Sequence, residues 1–394
     1  KRAFKLSQAE TETAKGQVRE LCLHRYMQWQ LKGKGLCGFW RLQGGGPGML
    51  SLMWLLFIPF IVFAEKLYVV ERERGALAVV EDGRLKKEIT GLGNLNHATL
   101  KLWRGRAYLI SRDGYLSQID IQEDRLVKRI RVGESTIGID FTDEHIVVAN
   151  YEPRDVVVLN EDLQVVRRYE TGSRNVGIKG FKGGFVFSLM DKDEIWLVRG
   201  ERVKVFERVG SMPFDAFLKG NLYVVGFFKE GGIGLLDIEK EEYRRVSFSS
   251  QGKDVVFKIP HFGTWGVVGD RAFIPAVGEK KLYVVSLKSF EVLGYVELPG
   301  LPVFAVASPD GRYVAVNFSG DMEDFVAVVD TKSLTVFNQK AVGERVMHMR
   351  FSLDGSKLYV SSYFDSKLRA LKVPGLEILE EVSVPNPSGV FLIK

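Results

Sequence analysis

The chain has 394 residues, 46% of them hydrophobic and 26% charged, with 41 glycines and 11% aromatics; this composition excludes a disordered chain and leans towards turn-rich β structure. Its net charge of +6 belongs to the first 64 residues, which hold nine Lys/Arg and three Asp/Glu and leave 46 of each sign beyond them. The body is neutral, which excludes a polyanion-binding role, nucleic acid included.

Residues 1–48 mix Lys, Arg, Trp, Cys and Gly without a sustained period, and Gly44, Gly45 and Gly46 stand shortly before Met49. They read as a mis-assigned upstream extension in which the glycine codons are a translated ribosome-binding site, with the true start at Met49. The apolar run 49–64 covers 16 residues, short of the roughly 20 that a membrane helix needs. Val62-Phe63-Ala64 then offers a signal peptidase site ahead of Glu65. These features predict a signal peptide over 49–64, a mature chain from Glu65 and a periplasmic location. An uncleaved signal anchor is the alternative and the one route to a membrane, because the n-region after Met49 has no Lys or Arg. Both cysteines, Cys22 and Cys37, precede Met49. The body therefore has no thiol, no disulfide and no C-x-x-C-H site for covalent heme c, as suits an oxidising compartment.

From residue 65 onward, short β-branched and aromatic runs alternate with turn signals, the pattern of many antiparallel strands. Eight runs align: Leu67-Tyr-Val-Val, Ala107-Tyr-Leu-Ile, Ile146-Val-Val-Ala, Phe185-Val-Phe-Ser, Leu222-Tyr-Val-Val, Ala272-Phe-Ile-Pro, Tyr313-Val-Ala-Val and Leu358-Tyr-Val-Ser. Their period of about 40 residues is that of a four-stranded propeller blade. Ser308-Pro-Asp-Gly and Ser352-Leu-Asp-Gly supply Asp-Gly hairpins between an innermost strand and the next. The final segment, Pro387 to Lys394, reads as an innermost strand with nothing after it, while the chain from Glu65 opens on a second strand that lacks its inner neighbour. The prediction is an all-β, eight-bladed β-propeller over residues 65–394, closed by pairing of the two terminal strands. A solenoid of the same period would need atypical caps, and the sequence has none.

Five histidines punctuate the chain: His24, His97, His145, His261 and His348. His24 is in the leader, and His145 begins a second strand, where it reads as a surface residue. The other three stand where innermost strands begin. Innermost strands of a propeller all run the same way along the channel, so these imidazoles converge on one mouth. A single histidine so placed is more often a hydrogen-bonded structural residue; three together favour metal ligation or proton transfer. Zinc held by all three would require side chains from well-separated blades to meet within about 2 Å of one ion, whereas a broad, flat ligand carrying its own metal fits the span. Arg112, Tyr151, Arg174, Asp215, Trp265, Asn317 and Arg345 accompany them, arginines for carboxylates and aromatics for stacking.

With Lys258-Ile-Pro-His261, Phe273-Ile-Pro-Ala-Val-Gly278, Val316-Asn-Phe318, Met347-His-Met349 and Pro387-Ser-Gly-Val-Phe391, residues 66–394 resemble the NirF family of heme d1 biogenesis proteins, relatives of the d1-heme domain of cytochrome cd1 nitrite reductase. The resemblance implies heme d1 or dihydro-heme d1 as ligand or substrate. It implies His97 as the axial ligand of the iron and His261 as a distal group; joined to the positional reading, Asp215, His261 and His348 are expected on the opposite side as polar or proton-transferring groups, and Arg112, Tyr151, Arg174, Trp265, Asn317 and Arg345 around the macrocycle. One distal histidine of the reductase has no match, because the corresponding segment reads Pro213-Phe214-Asp215-Ala216. That departure, with the lack of heme c, argues against nitrite reduction. The expectation is a heme d1 biogenesis protein for denitrification, partnered with the nitrite reductase and other maturation proteins. A non-catalytic carrier or insertion factor, and a plain protein-interaction propeller, are the alternatives.

Overall fold

Each of the eight aligned runs is apolar on both faces, and each becomes a strand buried between neighbouring blades. Lys66–Glu71, Ile146–Glu152 and Gly184–Leu189 are such second strands. The structure, a computed structural model, describes residues 65–248, 256 and 266–393. The expected upstream extension, the signal peptide, His261 and Trp265 lie outside the described residues.

Eight four-stranded antiparallel sheets make up the described residues. Blades II to VIII follow chain order from the channel outwards. Their innermost strands are Thr99–Trp103, Ser135–Phe141, Asn175–Phe181, Pro213–Lys219, Val267–Val268, Leu301–Ala307 and Val346–Phe351. Blade I is composite, as the sequence predicts: Pro387–Leu392 is its innermost strand and pairs with Lys66–Glu71, matching Leu67 with Leu392 and Tyr68 with Phe391. A separate apolar core fills each of the eight interfaces around the ring. At the interface of blades VIII and I, Tyr359, Leu368 and Val382 meet Leu67, Val69 and Val390.

The channel wall is tied across blades by charge. The ammonium of Lys101 on blade II, 1% exposed, lies 2.9 Å from the Asp140 carboxylate on blade III, which also accepts the Gly180 N–H of blade IV at 3.0 Å. The Asp-Gly hairpins close as expected. Gly311 and Gly355 take φ of +73° and +75°, values a side chain disfavours. Outermost strands are wet and linked sideways: Arg202 and Lys204 of blade IV reach Glu241 of blade V at 2.7 and 2.8 Å and hold its carboxyl down at about 2.

Candidate functional site at the channel mouth

Antiparallel pairing brings the end of every second strand back to the face where its innermost strand begins. Thr99 faces Ile110, Ser135 faces Glu152 and Val346 faces Ser362. One mouth thus collects both the starts of innermost strands and the ends of second strands. Four of the innermost strands are preceded by a residue in left-handed backbone, namely His97, Met212, Arg345 and Asn386, with φ of 60°, 60°, 61° and 41°. Just inside, the pairing slips at a bulge between Pro213 and Ala216 in blade V and between Val346 and His348 in blade VIII. A bulge re-aims the side chains beside it, and these two lie at Asp215 and His348.

The residues form two groups. The first surrounds blade I, the seam of the ring. Here one cleft is lined by Arg72, Asn96 and His97 from one side, by His348 from the other, and by Ser388 and Gly389 of the last strand between them. His348 is buried; its Nδ1 accepts the Val390 N–H at 3.4 Å and its ring meets Phe304 edge to face. Arg345 joins this group, 5.9 Å from the ring of Tyr363 and 5.6 Å from that of Phe364, and Arg72 lies 5.9 Å from the same Tyr363 ring.

The second group spans blades II to V. The Tyr151 ring lies 4.6 Å from the guanidinium of Arg112 and 5.8 Å from that of Arg174. Burial pushes its phenol up to about 12, with Asp215 adding to the rise and the arginines opposing it, so Tyr151 stays a hydrogen-bond donor across the physiological range. Arg174 is anchored on Asp191 at 2.6 Å and holds that carboxyl below the usual range. One buried nitrogen of Arg112, Nη1, has no hydrogen-bond partner among the described residues, which suits a carboxylate-bearing ligand. Asp215 is buried and contributes to the raised pKa of both Tyr151 and Tyr223.

Two residues that the sequence singles out stand apart from these groups. Asn317 is expected to touch the ligand, but its Oδ1 accepts the Phe304 N–H and its Nδ2 donates to the Val346 carbonyl, both at 2.9 Å. It therefore clamps blade VII to blade VIII. His145 begins the second strand whose far end carries Tyr151, which places it on the opposite face from the mouth. Sequence reasoning passed over Arg72 and Tyr363. Their signal is position: each directly follows a second strand, Lys66–Glu71 and Lys357–Ser362 respectively.

The model of the cytochrome D1 heme domain family matches residues 64–394. The chain is 32% identical over 352 residues to protein NirF of Pseudomonas aeruginosa and 31% identical over 351 residues to protein NirF of Stutzerimonas stutzeri. Each match covers 82% of this chain and 90% of the relative. The chain belongs to the NirF family. NirF membership attaches it to heme d1 biogenesis or binding. Among solved structures, the fold of this chain is similar to that of a dihydro-heme d1 dehydrogenase, NirN, in complex with DHE. That likeness has a TM-score of 0.70 at 18% identity and covers 83% of this chain and 75% of that one. AztD of Citrobacter koseri is also similar, with a TM-score of 0.66 at 13% identity, covering 83% of this chain and 97% of that one. At such identities these two likenesses speak for the propeller fold alone.

Proposed function

We propose that this NirF-family propeller is a periplasmic protein that binds a late heme d1 precursor, or heme d1 itself, across the channel mouth. It processes that tetrapyrrole during maturation of cytochrome cd1 nitrite reductase, alongside other heme d1 maturation proteins. The observation that carries the reading is the cleft at the seam, where His97 and His348 line one opening in a chain of the cytochrome D1 heme domain family. The donor set fits a flat metallomacrocycle. Imidazole is a ligand for heme iron, the buried Arg112 nitrogen without a partner suits a carboxylate, and the half-buried Tyr151 ring offers stacking.

His97 binds the iron in this reading. His348 and Asp215, held by bulges just inside the mouth, place polar groups where a proton can be handed to or taken from the macrocycle. Conversion of dihydro-heme d1 to heme d1 removes two hydrogens, so an electron acceptor must take up the two electrons.

The test is a spectral titration of the full chain with dihydro-heme d1, with and without an added acceptor. Binding followed by acceptor-dependent formation of heme d1 over many turnovers is the expected result. Binding with no conversion would overturn the processing step and leave a carrier, and no binding of either tetrapyrrole would overturn the reading altogether. His97→Ala is expected to change the spectrum of bound heme d1 and weaken binding by ten- to hundredfold or more, taking the roughly 10–100-fold cost of losing a ligand's support as the lower bound. His145→Ala, on the opposite face, is expected to do neither.

A further inference from the structure

We propose that Arg72 is the positioning residue of His97, acting through Asn96. The inference rests on the reading of His97 as the iron ligand.

The backbone of His97 sits at φ of +60°, a conformation that a residue with a Cβ adopts only when its surroundings hold it there. The turn therefore needs outside support. The residue before it supplies two attachments: the guanidinium of Arg72 donates to the Oδ1 of Asn96, and the Asn96 N–H donates to the Oδ1 of Asn94 at 2.9 Å. Only the second is local. Arg72 comes from the end of the second strand of blade I and reaches across to the loop that leads into blade II.

Arg72 is itself fixed from the other side. Its backbone N–H donates to the Asn386 carbonyl at 3.3 Å. Its guanidinium lies over the ring of Tyr363 from blade VIII, and the Tyr363 hydroxyl is bonded to Glu73. Asn386 Nδ2 donates to the Tyr363 carbonyl at 3.4 Å. A continuous line of contacts thus runs from blade VIII and the C-terminal segment, through Arg72 and Asn96, to the turn of His97. Arg72 and Asn96 also line both the histidine cleft and the polar groove beside it, so the contact between them forms the wall shared by the two openings. A planar guanidinium fixes direction in a way that a flexible ammonium does not. Support of this kind orients an imidazole ligand and tunes its strength.

The test uses the full chain titrated with heme d1 and followed by absorption and electron paramagnetic resonance. Parent and His97→Ala set the frame; if the parent does not bind, or if both give the same spectrum, the ligand reading fails and the inference falls with it. If they differ, Arg72→Met is expected to weaken binding about ten- to hundredfold and to move the spectrum towards that of His97→Ala. Asn96→Ala is expected to do the same, and the double variant to add little, because both changes cut one line of contact. Arg72→Lys, which keeps the charge without the planar fork, is expected to recover part of the loss. Parent spectrum and affinity in both Arg72→Met and Asn96→Ala, with His97→Ala altered, would overturn the inference. Fully additive losses would also overturn it, since Arg72 would then act on the ligand directly. Should circular dichroism show Arg72→Met unfolded, Asn96→Ala decides by itself.

Discussion

The two sides of the mouth are built differently. On the side of blades II to V, the polar groups are held by partners on their own or adjacent blades: Arg174 by Asp191, Tyr151 between two guanidiniums, Asn150 by Thr136, Asp155 and the Val132 carbonyl. Around blade I, the same depth in the ring is supported by segments from opposite ends of the chain. His97, His348, Arg72 and Ser388 meet only because residue 67 finds residue 392. Local contacts give a side that is set as soon as its blades form. The side carrying the imidazoles depends on closure of the whole ring.

Deleting residues 387–394 should break that contrast most severely. It removes Val390 and Phe391 from two interblade cores and opens the ladder of Lys66–Glu71. Loss of one buried Phe side chain costs about 3–5 kcal/mol against a typical total of about 5–15 kcal/mol. The expected outcome is loss of the cooperative thermal transition, followed by circular dichroism; a melting temperature within a few degrees of the parent would mean that the seam contributes nothing the other blades cannot supply. Next come the two asparagine clamps, one on each side. Asn150→Ala and Asn317→Ala each remove hydrogen bonds from buried polar groups and should cost about 1–3 kcal/mol in urea unfolding. Asn150, which also accepts from Thr136 and donates to a carboxylate, should lie at the upper end. A larger loss for Asn317→Ala would show that the seam side tolerates damage less than its bonds alone imply.

The smallest effect concerns Asp191. Its pKa is depressed in the folded protein, chiefly by Arg174, so its contribution is present above the unfolded value, near 4, and is lost as pH falls through the folded value. With both partners partly exposed, Asp191→Asn should cost at most about 1 kcal/mol at pH 7, and the difference from the parent should shrink as the pH falls below the unfolded value. A difference that does not change with pH would assign the effect to packing. The seam side should show no such dependence on Asp191.

The ring was legible in the sequence because the second strands are buried on both faces and so read as continuous β-branched and aromatic runs, and because Asp-Gly turns punctuate them. The composite blade followed from Pro387-Ser-Gly-Val-Phe391, which looks like an innermost strand, and from the run at Leu67, which looks like a second strand. The mouth was legible only in part. His97 and His348 declare themselves by preceding or opening innermost strands. Arg72 and Tyr363 do not, since they reach the same face by the antiparallel return of a different strand, which becomes visible only once strands are paired. Asn317 illustrates the converse: a polar residue at a strand end looks the same in sequence whether it faces a ligand or the carbonyl of the next blade, and its hydrogen bonds to Phe304 and Val346 separate the two.

Because Ser388 and Gly389 floor the histidine cleft, the strand that completes blade I is also the one that creates the opening. Without that strand there is no floor between His97 and His348. By mass action, a ligand held across blades VIII, I and II would favour the pairing of Lys66–Glu71 with Pro387–Leu392, and its occupancy and ring closure would form a single equilibrium.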